Sequence, residues 1–201
     1  MPDTAKRDQL LGLFADILDY PDGNTIEQLA RAEEGAALEF PEAGRLISRF
    51  RSGIEHLSTE RLQEVFTAIF DLNATCHPYI GYQLFGETYK RSVFLVELKE
   101  HYRTHGFPAP ETELADRFSI MLRFVSECAD AELVTDIIEY GFAPSLDKMT
   151  RGKEPSINEP EREAPNPYSD ILRALQIVLG QEPTSEAELI LDNAGGDTDV
   201  P

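Results

Sequence analysis

Apolar residues recur along the first three quarters of this chain with the period of an α-helix, and that repeat limits the fold more than any motif does. Leu10, Leu11, Phe14, Ile17 and Leu18 form one stripe, which Tyr20-Pro21-Asp22-Gly23 stops. A helix over Thr25–Glu34 is expected next, then one from Pro41 to Leu57 with proline in the first turn. Ser58 is placed to cap the following helix, whose stripe of Leu62, Val65, Phe66 and Ile69 runs into Phe70-Asp71-Leu72. Beyond Cys76-His77-Pro78, a short aromatic segment spans Tyr79–Phe85 and closes at Gly86. The spacing of Phe94, Leu98 and Tyr102 predicts a long helix over Thr88–His105, with Gly106 as a left-handed stop before Pro108 and Pro110. Two more helices are expected at Leu114–Cys128 and Ala131–Tyr140. No segment alternates with the two-residue period of a strand, so the expected fold is all-α, a single compact helical bundle.

The composition changes at Gly152. Four prolines and four glutamates among few apolar residues make Gly152–Pro167 a solvated linker by expectation. One more helix is expected over 168–179, where Ile171, Leu172, Leu175, Val178 and Leu179 share a face, and then a disordered acidic tail. The sequence thus divides into a helical domain at 1–151 and an appended region at 152–201.

Charge narrows the partners. The net charge of −19 disfavours nucleic acid and anionic lipid and favours basic ligands. From Gly152 onward, three basic residues face eleven acidic ones, so −11 of that charge belongs to residues 1–151. Between Arg123 and Lys148 there is no Lys or Arg, but Glu127, Asp130, Glu132, Asp136, Glu139 and Asp147 all occur. Such a surface suits a basic and apolar peptide; the competing reading is an ordinary set of solvated helix faces. No apolar run approaches the roughly 18–20 residues of a membrane span. Met1–Asp8 carries Asp3 and Asp8 in place of a signal peptide's apolar core, so a cytoplasmic protein is expected.

Catalytic and metal motifs are missing. The chain has no nucleophile elbow, phosphate-cradling loop or dinucleotide fingerprint. Cys76 and Cys128 cannot form a disulfide framework, and the adjacent Cys76-His77 pair lacks the spacing of a zinc site. His101 and His105 lie one turn apart without a carboxylate motif and are read as complements to a helix C-terminus. No enzyme activity and no metal are expected.

One stretch carries more information than its periodicity. Phe70-Asp71-Leu72, Tyr79-Ile80-Gly81-Tyr82-Gln83-Leu84-Phe85-Gly86-Glu87 and Tyr89-Lys90-Arg91-Ser92 resemble the central signature of the NarJ family. These are the nitrate reductase delta-subunit-like chaperones within the TorD/DmsD group of redox-enzyme maturation proteins. Leu18-Asp19-Tyr20-Pro21 resembles that family's first helix end, and the similarity extends over about Leu10–Phe142. The chain departs from the pattern at Ala115-Asp116-Arg117, where the family commonly has Pro-Asp-His, and at Ser92, where it tends to have glycine.

The resemblance implies a TorD/NarJ-like bundle that binds the N-terminal peptide of a molybdoenzyme's catalytic (alpha) subunit. It would hold that subunit for iron–sulfur and molybdenum cofactor insertion while keeping no cofactor of its own. On this basis Phe70, Tyr79, Tyr82, Phe85 and Tyr140 are candidate apolar contacts, and Asp71, Glu87 and Asp116 candidate partners for the peptide's arginines. Phe70 and Phe85 also have a reading as core. Gly86, Arg91, Tyr20 and Pro21 are family-motif positions, with Arg91 expected to pair with Glu87 one turn back. Alternative clients are perchlorate, selenate, dimethyl sulfide or ethylbenzene oxidoreductases, and the alternative class is a small helical enzyme. Self-association is compatible with an exposed apolar groove.

Overall fold

A computed structural model of the chain describes residues 3–73, 76–151 and 166–181. Those residues form ten α-helices and no named strand. They are α1 Thr4–Ile17, α2 Thr25–Ala36, α3 Pro41–Ile54, α4 Thr59–Phe66, α5 Ile80–Phe85, α6 Tyr89–Thr104, α7 Phe118–Glu127, α8 Ala131–Asp136, α9 Ala143–Arg151 and α10 Ser169–Val178. The local chemistry accounts for their ends. Asp3 caps α1 through Ala5 N–H, Ser58 caps α4 through Arg61 N–H, and Asp130 caps α8 through Leu133 N–H. Each cap satisfies one otherwise orphaned donor, about 1 kcal/mol apiece. Gly106 follows α6 at φ +67°, the left-handed conformation that glycine adopts without a Cβ penalty.

The elements differ from the expected ones at two places. The helix expected from Leu114 begins only at Phe118, because the preceding residues are held extended against Tyr79. The helix expected to end at Tyr140 does not stop there. It widens into a π-turn over Ile137–Phe142 and continues as α9. Pro144, which lacks an N–H and would crowd the carbonyl four residues back in a regular helix, is accommodated just after that widening. A second π-turn, Thr67–Asp71, prolongs α4.

The core runs through the whole bundle. Leu10, Leu11, Phe14 and Ile17 of α1 are buried together with Met121, Leu122, Phe124 and Val125 of α7. Helix α10 belongs to this core: Ile171, Leu172, Ala174 and Leu175 are fully buried, and it packs along α3 and against α9 and α1. The hydrophobic core therefore does not end at Arg151. The physical reason is the apolar face of α10, which covers the otherwise open side of α3. An aromatic cluster anchors its start, with the Tyr168 ring 4.8 Å from Phe50 and 4.9 Å from Phe70. The linker expected at 152–165 and the tail expected beyond residue 181 lie outside the described residues.

Candidate functional site

The signature residues meet around α5. The extended residues before α5 and α7 pair: Ile80 N–H donates to the Asp116 carbonyl at 2.8 Å and Phe118 N–H to the Pro78 carbonyl at 2.9 Å. This short antiparallel bridge sets Asp116 beneath the first turn of α5. There the carboxylate, 0% exposed, accepts from Arg91 Nε at 2.9 Å and Nη2 at 3.3 Å. The Arg91 guanidinium also lies over the Tyr79 ring at 5.4 Å and the Tyr82 ring at 5.8 Å. One buried cation is thus held by a two-point ion pair and two aromatic faces.

Gly81 makes this approach feasible. A Cβ there would stand 2.7 Å from Asp116 Oδ2 and 2.9 Å from Phe94 Cδ1, closer than real Cβ atoms come. Gly81 is therefore a spacer for the ion pair. Nearby, the Tyr102 hydroxyl donates to the Ala115 carbonyl at 2.8 Å, and burial, helped by Asp116, pushes its ionisation well up. The Tyr79 hydroxyl donates to Glu113 at 3.1 Å, and burial followed by the Glu113 charge raises its pKa as well.

Arg117 forms a second knot. It bridges Asp19 at 2.9 Å and Glu113 at 2.5 Å, tying the end of α1 to the start of α7. Burial works against its charge, but Asp19 and Glu113 more than offset that, and its pKa is raised. The residue at the position where the resembling family has histidine is thus a structural cation here. Arg123 adds to the same junction through Asp16 at 2.8 Å.

These positions correct several expectations. Arg91 pairs with Asp116 and not with Glu87, since its side chain turns into the bundle where the carboxylate is desolvated. Asp116 is accordingly engaged and buried, not open to a peptide's arginine. Phe70 is 1% exposed and stacks with Phe66 and Tyr168, so it is core. Tyr79, Tyr82 and Phe85 are half-buried, Phe85 leaning on Phe94 at 5.7 Å. Asp71, Glu87 and Tyr140 are exposed. Among the motif positions, Tyr20 is half exposed and meets Phe66 edge-on, and the buried Pro21 accepts at its carbonyl from Gln63 Nε2 at 2.8 Å. Gly86 sits at φ +61°.

The histidines and Cys76 have local roles. His77 Nδ1 is 3.0 Å from the Phe70 carbonyl, inside the π-turn, and its ring meets Tyr82 edge-on. Cys76 is buried beside Asn166. His105 has one ring nitrogen on the His101 carbonyl and the other 3.6 Å from Asp130. Among the described residues no three His, Cys, Asp or Glu side chains gather as a metal would need. None of their helices is long and apolar enough to cross a membrane.

Sequence reasoning missed one surface. Tyr89, Val93 and Val96 are 82%, 39% and 69% exposed on the outer face of α6. They stand at i, i+4 and i+7, opposite the inward stripe of Leu98 and Tyr102. The same periodicity count, applied to both faces of this helix, finds them. Leu72 is exposed as well, next to Asp71.

No family model matches the chain. Over 140 residues it is 28% identical to a Bacillus subtilis (strain 168) protein named as a nitrate reductase molybdenum cofactor assembly chaperone, NarJ; the match covers 68% of this chain and 74% of that protein. Its fold matches a crystal structure assigned as a redox enzyme maturation protein from Archaeoglobus fulgidus, with a TM-score of 0.58 and 23% identity, over 87% of this chain and 94% of the other. The second likeness shows the all-α fold.

Proposed function

We propose that this chain is a chaperone for molybdenum cofactor assembly that binds the N-terminal peptide of a nitrate-reductase-type catalytic subunit. It holds that subunit competent for cofactor and iron–sulfur insertion before assembly or export, and performs no chemistry of its own. The sequence likeness to NarJ supports the class of client. The observation that carries the binding role is the exposed apolar face of α6, next to the acidic Glu87 and the half-buried aromatics of α5.

The arrangement has a physical logic. The Arg91–Asp116 knot and Gly81 hold α5 against α6, so the aromatic segment is presented on a rigid base. Apolar burial on Tyr89, Val93 and Val96 would supply most of the affinity. The field of a chain carrying −19, with Asp71 and Glu87 open to solvent, would speed the approach of a basic peptide.

Titration calorimetry with a synthetic peptide from the partner's N-terminus tests this. Fully burying one such side chain contributes about 1.5–3 kcal/mol. Tyr89→Ala and Val96→Asp should therefore each weaken binding by roughly tenfold or more. Unchanged affinity in both variants would remove the α6 face from the site.

A further inference from the structure

His77 stands where the π-turn that prolongs α4 meets the start of α5. Pro78 follows it and disfavours a helical backbone at residue 77. Its main-chain carbonyl accepts from Tyr79 N–H at 2.9 Å and from Gln83 Nε2 at 3.0 Å, and Gln83 is itself buried. The backbone of His77 is thus pinned to α5 before its side chain makes any contact.

The imidazole then makes two contacts of different kinds. Its Nδ1 lies 3.0 Å from the carbonyl oxygen of Phe70. A carbonyl only accepts, so Nδ1 carries the hydrogen in this bond. Phe70 belongs to the π-turn Thr67–Asp71, which closes with Leu72 N–H on the Thr67 carbonyl at 3.1 Å. Carbonyls in a final turn have no partner within their own helix, and His77 supplies one. The same imidazole meets the Tyr82 ring nearly perpendicular, with centroids 4.9 Å apart. Tyr82 also lies under the Arg91 guanidinium at 5.8 Å, and Asp116 fixes that cation in turn.

Tyr82 therefore has two fixed neighbours although it is only half-buried. A ring already ordered in the free protein costs less to immobilise when a ligand covers it. We infer that His77 is a positioning residue for client binding: it sets the Tyr82 ring on α5 and ties that ring to the π-turn of α4. The assignment rests on the client role proposed above. An edge-on aromatic pair is worth about two- to tenfold in an equilibrium constant, which bounds what His77 contributes.

Two substitutions separate the contacts. His77→Asn keeps a donor at the δ position and removes the ring, whereas His77→Phe keeps a ring and removes the donor. Calorimetry uses a synthetic peptide covering the N-terminus of a nitrate-reductase-type catalytic subunit, and urea unfolding is measured in parallel. His77→Asn should weaken binding by about two- to tenfold with a nearly wild-type unfolding midpoint. His77→Phe should bind nearly as wild type but unfold at lower urea, because the buried Phe70 carbonyl loses its donor. In a Tyr82→Ala background, His77→Asn should cost no further affinity, since the ring it positions is gone. Without peptide, aromatic NMR should show cross-peaks between the His77 and Tyr82 rings. Their absence would overturn the assignment, as would a His77→Asn loss that persists undiminished in Tyr82→Ala. Wild-type binding with unchanged affinity in His77→Asn would overturn the assignment alone. A wild-type protein that binds no such peptide would overturn the client role and this assignment with it.

Discussion

Replacing Asp116 by alanine strips the partner from a guanidinium that the bundle has already desolvated. Arg91 retains 16% side-chain exposure against none for Asp116, so water can relieve only part of the loss. Breaking a buried pair from one side costs about 3–5 kcal/mol, and the residual exposure of Arg91 places this case near 3. The Tyr79 and Tyr82 faces still hold the cation but cannot neutralise it. At roughly 2–4 °C per kcal/mol for a chain of this size, the melting temperature should fall by about 6–12 °C. The assay is urea and thermal unfolding of Asp116→Ala, Arg91→Met and the double variant. The double variant should be more stable than the sum of the two single losses predicts, because it leaves no orphaned charge. Peptide affinity, measured below the transition, should stay within a few-fold of wild type. A fully stable Asp116→Ala protein that has lost peptide binding would refute this reasoning and return Asp116 to the ligand-contacting set.

Three further outcomes follow from the same geometry. Gly81→Ala drives a methyl into Asp116 and Phe94 and should cost about 1–3 kcal/mol by overpacking, read as a lower urea midpoint; an unchanged midpoint would show that the knot can relax. Glu113 bears on acid stability: burial pushes its carboxyl up, but the Leu114 N–H and Arg117 outweigh that and hold it below the usual carboxylate range. Its contribution is therefore complete above the unfolded-state pKa and lost as pH falls through the lower folded one, so Glu113→Gln should flatten the decline in unfolding free energy below about pH 5. An identical slope in the variant would exclude that role. Asp71→Asn/Glu87→Gln should slow peptide association and reduce its salt dependence while leaving unfolding unchanged; stopped-flow rates at two ionic strengths decide it.

The helices were legible because each buries one stripe, and a stripe is a local pattern. Gly106 could be read as a stop for the same reason, since the left-handed residue follows directly on the last turn. The Arg91–Asp116 pair was not legible. Its partners are 25 residues apart and meet only because Tyr79 and Arg117 bridge, whereas Glu87 offered a nearer carboxylate. Phe70 shows the limit of composition: an aromatic in a signature reads equally as ligand contact or core, and the Tyr168 ring across the bundle decides it. Helix α9 was not legible, because nothing in the stripe ending at Tyr140 signals the π-turn that lets the helix continue through Pro144. Packing of α10 depended on an open side of α3 that no single segment reveals.

Molybdenum content tests the maturation role most directly. The catalytic subunit would be purified from cells with and without this chain and its molybdenum per polypeptide measured by elemental analysis. Occupancy should fall several-fold without the chain and recover when wild type is restored, but not with a variant carrying Tyr89→Asp and Val96→Asp. Full occupancy in the chain's absence would contradict the account.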